Sequence, residues 1–537
     1  MISIMLLMVF STMQAQQPTY VWSPVMDYKY KAERIDKVLN YNENGLFILR
    51  KAGEMPSYYY VEKYNSNLTR AYQTEMRIEP KGVRDRVGYL STVMSNNVPY
   101  GFFYHWDDAS STYHVIARKM GEDGVLGDEV KLGKDNPEKF GKAPEYKFIA
   151  SPDGTKIAAI GLLPFEKETI EKWHVLIYQV DGFKKLLDKT IESQVPRERF
   201  EINDLMLGNS GNLQVFKMWD EKKVGKFSTI VTVKTDGTIK RTDLDLGIQA
   251  ISFRKVFVNK SGHAAVIGFL NPDDKEWKRI SAHFYFSVDE NGTIVNNVIE
   301  PLGQQVLSKV FFGLSKGKAE KEDQSIKEFE FTDFIEHDNG EITVFVESFS
   351  QNSKIIPNAD PAKMESSYDR THKSLLVIKL DKTGRKMWTE KLEKKQNYTT
   401  MQDYKYWGGV VPFMKDNETF LIWNNINFPE ISGKMAQATQ GWYDNNKQKH
   451  YVYEEYGNRA YYGTCLSGVA ENGTLMFGDQ PVPNALPLVG MYKDAVYQVT
   501  FSSAVFARYK NSVVLIMEMP AGMNAGATKY QFCKVTL

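Results

Sequence analysis

Eight short apolar runs in this chain each break at a turn-forming pair and resume at once. These turns are Asn44-Gly45, Asn96-Asn97, Asp153-Gly154, Ser210-Gly211, Ser261-Gly262, Asn339-Gly340, Asp416-Asn417 and Lys510-Asn511. Gly, Asn and Asp tolerate the positive φ values that two-residue hairpin turns require, so each break predicts a β-hairpin. The first five turns are spaced 51 to 57 residues apart, which indicates a repeated unit of that size.

Each unit can be divided into four strands, a to d. In the third unit they are residues 146–150, 156–160, 174–180 and 185–191. The turn between strands c and d also recurs, at Asp123-Gly124, Asp236-Gly237, Asn291-Gly292, Thr383-Gly384 and Asn472-Gly473. A string of unrelated hairpins in sandwiches would not keep this order through seven units. The sequence therefore predicts an all-β fold, a single β-propeller of four-stranded antiparallel blades.

The last unit lacks one strand. Residues 504–508, 512–517 and 530–536 give its strands a, b and c, and the sequence then stops. Residues 19–25 precede the first full unit and are strand-like, so we expect this N-terminal segment to supply the outermost strand and close the ring. The count is then eight blades, with seven as the alternative if one unit is misassigned.

The N-terminal residues have the pattern of a secretory signal peptide. A short apolar run at residues 4–10 is followed by small and polar residues up to Ala15, although no Lys or Arg precedes the run. We expect cleavage after Ala15, which leaves residues 16–537 as an exported propeller domain. The run is too short to span a bilayer, and no Cys nearby could carry a lipid anchor. The two cysteines, Cys465 and Cys533, lie in apparent strands and are expected to be buried and unpaired.

Composition excludes some partners. The 537 residues are 42% apolar and 25% charged, with a formal net charge of +1. A chain this close to neutral gives no electrostatic reason to expect nucleic acid or an anionic membrane as a partner. We also expect no transmembrane segment in the mature chain.

Four long irregular stretches are predicted to share one face. They are residues 301–327, 349–373, 424–456 and 481–497, and each connects strand b to c or strand d to a. In an up-and-down blade these connections emerge opposite the tight a–b and c–d turns. Long loops on a rigid scaffold usually carry function, so this face is the predicted binding site.

Candidate catalytic and metal motifs are explained more simply by structure. Gly313 to Gly317 matches a Gly-x-Ser-x-Gly elbow, but no α/β domain is available to hold it. His105 to Asp108 is typical of a loop cap, and Asp243 to Gly247 lacks the remaining ligands of a Ca²⁺ loop. Asn259, Asn291 and Asn472 begin glycosylation sequons that coincide with hairpin turns. The eight histidines show no metal-binding spacing, so we expect no metal and no cofactor.

Aromatic clusters give the candidate binding residues. Trp442 and Tyr443 lie in a polar loop, where an exposed aromatic pair suits a glycan or protein partner. Tyr406, Trp407 and Trp106 are weaker candidates, because most aromatic clusters in such a fold fill the wedges between blades.

Two resemblances add to this interpretation. Residues 151–156, Ser-Pro-Asp-Gly-Thr-Lys before a strand, resemble the turn of the TolB/WD40-like periplasmic propeller repeat. Residues 334–341, 376–388 and 394–396 look like an uncharacterised family of exported propeller-like proteins of Bacteroidota. The resemblance implies export and a propeller fold, but it supplies no activity or functional residues. The absence of an extra C-terminal sorting domain favours the periplasm or the outer membrane over secretion.

These features predict a binding protein rather than an enzyme. The leading hypothesis is an exported propeller that binds an envelope protein or glycan through its long-loop face. One alternative is a glycan hydrolase or lyase with its site at the channel mouth, which paired carboxylates would favour. Another is an accessory subunit of an outer-membrane complex.

Overall fold

The structure, a computed structural model, describes most of the chain from residue 18 to residue 537. The stretches that it does not describe are 28–32, 54–57, 78–86, 108, 136–144, 163–169, 197–203, 222–224, 248, 272–278, 304–305, 307–327, 357–364, 401–407, 427–436, 444–448, 456–457, 461, 476–483, 487–488, 493–494, 499 and 520–528. The predicted signal peptide, residues 1–15, also lies outside the described residues. All statements below concern the part of the chain that is described.

The first half of the chain forms four blades of four strands. Two strands precede them, β1 (Thr19–Trp22) and β2 (Met26–Asp27). Blade I contains β3 (Arg34–Asn42), β4 (Gly45–Ala52), β5 (Tyr58–Tyr64) and β6 (Arg70–Glu75). Blade II contains β7 (Val87–Ser95), β8 (Val98–Asp107), β9 (Thr112–Met120) and β10 (Leu126–Asp135). Blade III contains β11 (Tyr146–Ala150), β12 (Lys156–Leu162), β13 (Ile170–Gln179) and β14 (Lys184–Pro196), with a 3₁₀ turn at Asp181–Phe183. Blade IV contains β15 (Leu205–Leu207), β16 (Leu213–Glu221), β17 (Gly225–Val233) and β18 (Ile239–Leu244).

The second half forms four more blades and two additions. Blade V contains β19 (Ala250–Val258), β20 (Ala264–Asn271), β21 (Ala282–Val288) and β22 (Ile294–Pro301). Blade VI contains β23 (Phe329–Glu336), β24 (Ile342–Ile356), β25 (Glu365–Leu380) and β26 (Lys386–Thr400). Blade VII contains β27 (Val411–Lys415) and β28 (Glu418–Ile426), then an inserted sheet of β29 (Gln437–Tyr443), β30 (Lys449–Glu455) and β31 (Asn458–Ala460), and finally β32 (Tyr462–Val469) and β33 (Asn484–Leu486). A hairpin of β34 (Val489–Tyr492) and β35 (Ala495–Gln498) leads to blade VIII, with β36 (Thr500–Tyr509), β37 (Ser512–Met519) and β38 (Lys529–Thr536).

The blades form an eight-membered ring. Each blade is an antiparallel meander, and the innermost strands β3, β7, β11, β15, β19, β23, β27 and β36 contact one another in sequence around the ring. The predicted all-β propeller with eight blades is therefore confirmed, and the seven-blade alternative is wrong.

The two ends of the chain meet in blade VIII. Strand β1 pairs antiparallel with β38, with Trp22 opposite Cys533, and β2 pairs with the start of β38. Between them, the Ser23 backbone N–H donates to the Phe532 carbonyl at 3.0 Å, and the Phe532 N–H donates to Ser23 Oγ at 2.9 Å. The N-terminal strands thus pair along one edge of β38, the last strand described.

One hydrophobic cluster fills each wedge between neighbouring blades. Eight such clusters are found among the described residues, for the eight wedges of the ring. Strand alternation explains this arrangement, because successive side chains of a buried strand face opposite blades. In β37, Val513 and Leu515 pack toward blade VII, whereas Val514 and Ile516 pack toward blade I.

Most of the recurrent turns differ from the two-residue turns that the sequence predicted. At Gly154 and Gly384 the glycine N–H donates to a carbonyl three residues earlier, at 2.8 and 2.9 Å. In each case only the glycine carries a positive φ within the turn, which is typical of a type I turn followed by one left-handed residue. Asn96 and Asn97, with φ of 47° and 62°, do form a two-residue turn. The prediction of hairpins was correct, but their turn type was wrong in most blades.

Candidate functional site

The meander topology separates the connections onto two faces. The a–b and c–d turns lie on one face, here called the turn face. The b–c and d–a connections lie on the other, the loop face. All four long stretches predicted from the sequence belong to loop-face connections.

Blade VI extends beyond the ring on the loop face. Strands β24 and β25 remain paired from Ile342 opposite Leu380 to Ile356 opposite Glu365, and β26 follows as far as Thr400. We call the projecting part, residues 349–356, 365–372 and 396–400, the arm. The sequence predicted an irregular loop at 349–373, and this was wrong. In the arm β25 is hydrogen-bonded to β24 on one side and to β26 on the other. This pairing holds the polar Ser, Asn and Thr residues in extended strands.

A buried charged group lies at the base of the arm. His372 Nδ1 is 3.0 Å from Glu347 Oε2, and Lys394 Nζ contacts Glu347 Oε1. These side chains are 0%, 0% and 1% exposed for Glu347, His372 and Lys394. Burial by itself would raise the pKa of Glu347, but Lys394 and His372 outweigh it and lower the pKa to about 2. The carboxylate therefore stays ionised inside the protein.

Gln396 joins this charged group to blade VII. Its Oε1 accepts hydrogen bonds from Lys394 Nζ at 2.5 Å and from the Gly409 N–H at 3.2 Å. Its Nε2 donates to the carbonyl of Asn424 in β28. A buried polar group needs a hydrogen-bond partner because water is excluded. This network therefore fixes the base of the arm against the next blade.

Blades VII and VIII add further strands on the loop face. The b–c connection of blade VII contains the sheet β29-β30-β31, and the hairpin β34-β35 follows the last strand of that blade. Strand β30 contacts β35, so these two additions lie together. Residues 424–456 and 481–497 were predicted as irregular, but they contain these strands. The stretch 301–327 lies almost wholly outside the described residues.

The predicted aromatic residues fall in three different settings. Trp442 and Tyr443 occupy consecutive positions at the end of β29, paired in register with His450 and Lys449. Tyr406 and Trp407 lie outside the described residues. Trp106 is 8% exposed and packs edge-on against Tyr113, with ring centroids 4.8 Å apart.

Ion pairs link the inner strands that line the channel. Arg508 of blade VIII donates from Nη1 to Asp333 Oδ2 at 2.6 Å and from Nη2 to the Phe334 carbonyl at 2.7 Å, both in blade VI. Arg254 of blade V holds Asp204, which directly precedes β15, through several contacts at 2.9 to 3.2 Å. These carboxylates are neutralised by guanidinium groups and act as structural links between blades.

Two carboxylates of blade I contact the same arginine but are closed to solvent. Arg50 Nη1 is 3.1 Å from Glu33 Oε1, and Arg50 Nε is 2.7 Å from Glu62 Oε1. All three side chains are almost fully buried. Tyr64 donates to the other oxygen of Glu62 at 2.5 Å. Both acids contact Arg50 inside the protein, and Arg70 Nη1 lies 3.8 Å from Glu62 Oε1, so this charged group stabilises blade I.

The remaining motifs have structural partners where they are described. Asp107 accepts hydrogen bonds from the Ala109 N–H and from Ser110, as in a loop cap, and Asp243 accepts from Arg241 and Thr229. Asn259 is buried. Its side-chain Nδ2 donates a hydrogen bond to the Tyr285 hydroxyl, and its Oδ1 accepts one from the Ser261 N–H of its own turn. Among the described residues no cluster of His, Cys, Asp or Glu could hold a metal ion. The segment 313–317 and the side chain of Cys465 are not described.

Cys533 is free and buried, as predicted, and burial raises the pKa of its thiol. In the described part of the chain no helix is long and apolar enough to cross a membrane.

Sequence reasoning missed a recurrent histidine on strand c. In four blades a buried histidine of this strand faces a carboxylate, in the pairs His114 with Asp107 (3.4 Å), His174 with Asp188 (2.8 Å), His283 with Glu300 (3.5 Å) and His372 with Glu347 (3.0 Å). Aligning the c strands of the repeat would have revealed the histidines. Their acidic partners come from different strands, so no fixed spacing marks them.

Comparisons with known proteins give distant structural alignments and no match in sequence. No protein-family model matches the chain, and no curated protein matches it in sequence. A crystal structure of a protein of unknown function from Bacteroides caccae aligns with 12% identity and a TM-score of 0.27, over 62% of this chain and 89% of the other. The acylaminoacyl peptidase of Pyrococcus horikoshii aligns with 9% identity and a TM-score of 0.32, over 76% and 61%. The prolyl oligopeptidase B of Galerina marginata aligns with 8% identity and a TM-score of 0.34, over 83% and 49%. The eight-bladed ring is established by the strand pairing within this chain.

Proposed function

We propose that this protein is an exported, non-enzymatic propeller that binds a protein or glycan partner in the bacterial cell envelope through its loop face. The observation that supports this proposal is the grouping of additions on that face. The arm of blade VI, the inserted sheet of blade VII and the hairpin before blade VIII belong to three consecutive blades. A ring held by eight packed wedges provides a rigid base for such a surface.

The described carboxylates do not favour the enzymatic alternative. Glu33 and Glu62 share Arg50, and Asp333 is bonded to Arg508. A hydrolase or lyase needs at least one acid that can exchange a proton with substrate, and these acids are committed to cations. Within the described residues the loop face is therefore better suited to recognition than to acid–base chemistry.

Affinity purification from the native host, followed by binding measurements with the recovered partner or on a glycan array, tests the proposal. In one variant a two-residue Asn-Gly turn replaces residues 352–369, which removes most of the arm while Gln351 still pairs with Arg370. A second variant carries Trp442→Ala and Tyr443→Ala. Lys382→Ala, on the turn face, is the matched control. We expect weaker binding by at least tenfold in the loop-face variants and unchanged binding in the control. Equal binding by all variants would contradict a loop-face site.

Export is tested separately by N-terminal sequencing of the protein recovered from host cell fractions. We expect the mature chain to begin at Gln16 and to appear in the periplasmic or outer-membrane fraction. A chain that begins at Met1 in the cytoplasmic fraction would contradict the location and leave the binding surface unaffected.

A further inference from the structure

Two buried histidines hold the turn-face end of blade VI. His337 is the first residue of its a–b turn, where the His337 carbonyl accepts from the Gly340 N–H at 3.0 Å. His283 belongs to blade V, and its Nε2 donates to the carbonyl of Gly384 in the c–d turn of blade VI at 3.1 Å. The two side chains are only 1% and 2% exposed, for His337 and His283. Both turns of this blade therefore depend on a histidine that is out of contact with water.

Each ring has one nitrogen with a partner and one without. His337 Nε2 lies 2.7 Å from Thr343 Oγ1, and His337 Nδ1 is buried without a hydrogen bond. His283 Nδ1 is likewise buried without a hydrogen bond. Since Nε2 of His283 donates to a carbonyl, its ring carries the proton there when neutral, and Nδ1 has only a lone pair. A second proton would create a buried N–H donor with no acceptor, next to a turn that must stay closed.

The charged groups around these rings do not compensate for that cost. Lys379 and Lys260 oppose a positive charge on His337, while Glu341 and Asp338 favour it. Glu300 favours a charge on His283 and Lys386 opposes it. Burial is the largest influence on both rings and lowers the pKa of each, to about 4 for His337.

We infer that the turn-face end of blade VI is a pH-responsive element, which loosens from the ring on mild acidification while the other blades stay folded. A proton enters either ring only when its turn opens, so acid stabilises the open state. The direction in which pH changes the stability of the closed turns follows from linked proton binding. The folded pKa lies below the ordinary value of 6.5, so stability is complete above pH 6.5 and is lost as the pH falls toward the folded pKa. The window is about pH 6.5 to 4.

The chain contains its own reference blade. Blade IV, from β15 to β18, has no histidine in its sequence, so its opening should not respond over this window. Blade VI also carries the arm, at the end of the blade opposite these two turns. The inference does not depend on the proposed partner, because local opening is measured on the protein alone.

Hydrogen exchange of the full mature chain, followed by mass spectrometry at pH 7.5 and pH 5.0 and corrected for intrinsic rates, tests this inference. Between these pH values one histidine with a pKa of about 4 when folded and 6.5 when open increases the opening equilibrium about 27-fold. We expect at least this loss of protection in β23 to β26, and little change in blade IV. Equal loss in both blades, or no loss in blade VI, would overturn the inference.

Substitution separates the histidines from other acid effects. His337→Gln and His283→Gln each keep an amide donor without a titrating ring, and each should reduce the acid response of blade VI. His263→Gln is the control, because His263 is a partly exposed histidine in the a–b turn of blade V. A response that persists at the two turns, residues 337–341 and 381–385, in the double variant would overturn the inference. Exchange in the arm is compared separately, because His372 at its base is a third buried histidine of blade VI. If the double variant does not fold, the comparison of blades VI and IV in the natural chain decides the question.

Discussion

At the scale of single residues, the charged group beneath the arm has the largest expected effect on stability. Lys394→Met leaves the carboxylate of Glu347 buried beside His372 without its cation. Breaking a buried pair in this way costs about 3 to 5 kcal/mol, because one charge remains uncompensated. Urea unfolding should therefore show a free energy of unfolding lower by that amount. Adding Glu347→Leu should recover part of the loss, since both charges are then absent.

Lys391→Met is the matched control in the same strand. Lys391 pairs with Glu393, and their side chains are 14% and 64% exposed, so water screens the carboxylate and the pair contributes about 0 to 1 kcal/mol. If Lys394→Met lowers the free energy of unfolding no more than this control does, the buried carboxylate of Glu347 does not need Lys394 as its counter-charge. The pH dependence has a defined sign. Glu347 has a lowered pKa when folded, so its contribution is present above pH 4.5 and is lost as the pH falls toward about 2.

These residues could not have been found from the sequence. Glu347, His372 and Lys394 lie on three different strands, and a bulge between Glu347 and Phe349 shifts the register that brings them together. Trp106 illustrates the reverse case, because an aromatic residue at a strand end looks the same in sequence whether it is exposed or packed against Tyr113. Strand alternation predicts which residues face a wedge, but not which polar groups meet inside it.

At the scale of elements, the turn glycines differ in what surrounds them. Gly384 has a φ of 93°, and a Cβ there would clash with the Tyr285 side chain. Gly262 has a φ of 80° and open space around it. Left-handed backbone costs an L-residue about 1 to 2 kcal/mol, so Gly262→Ala should destabilise by about that much. Gly384→Ala should cost at least about 2 kcal/mol, since the overlap must also be relieved.

Thermal and urea unfolding of the two variants measure this difference directly. Equal costs would mean that blade V yields to the added methyl group, and that the contact between this turn and Tyr285 contributes little. The same turn accepts the hydrogen bond from His283, so Gly384→Ala should also weaken the link between blades V and VI.

The turns show how well local chemistry predicts elements in this chain. A Gly or Asn pair between apolar runs indicated the hairpins because the positive φ is a local requirement. The strands of the arm, and those inserted in blade VII, carried no such signal. Residues 350–354 are polar on both sides and become strand only through pairing with β25 and, through it, β26, which is a tertiary effect.

At the scale of the whole molecule, repetition made the architecture predictable. Units of similar length with the same order of strands have few solutions, and a ring of blades is the one that leaves only short edges exposed. The number of blades followed once the incomplete last unit was recognised. Function did not follow, because a propeller scaffold is compatible with many binding and catalytic sites. The additions on the loop face distinguish this chain from a bare ring.

The seam between the two ends of the chain gives the last prediction. Removing residues 18–27 deletes β1 and β2, exposes the edge of β38 and takes Tyr20 and Trp22 from the wedge between blades VII and VIII. Loss of this packing and of the two Ser23 hydrogen bonds should lower the melting temperature by several degrees. The open edge should also pair with a second copy, which size-exclusion chromatography would detect as a dimer or larger species. A chain that begins at residue 18 is the control. An unchanged melting temperature together with a monomeric profile would mean that blade VIII is complete with three strands, and that the N-terminal strand does not close the ring.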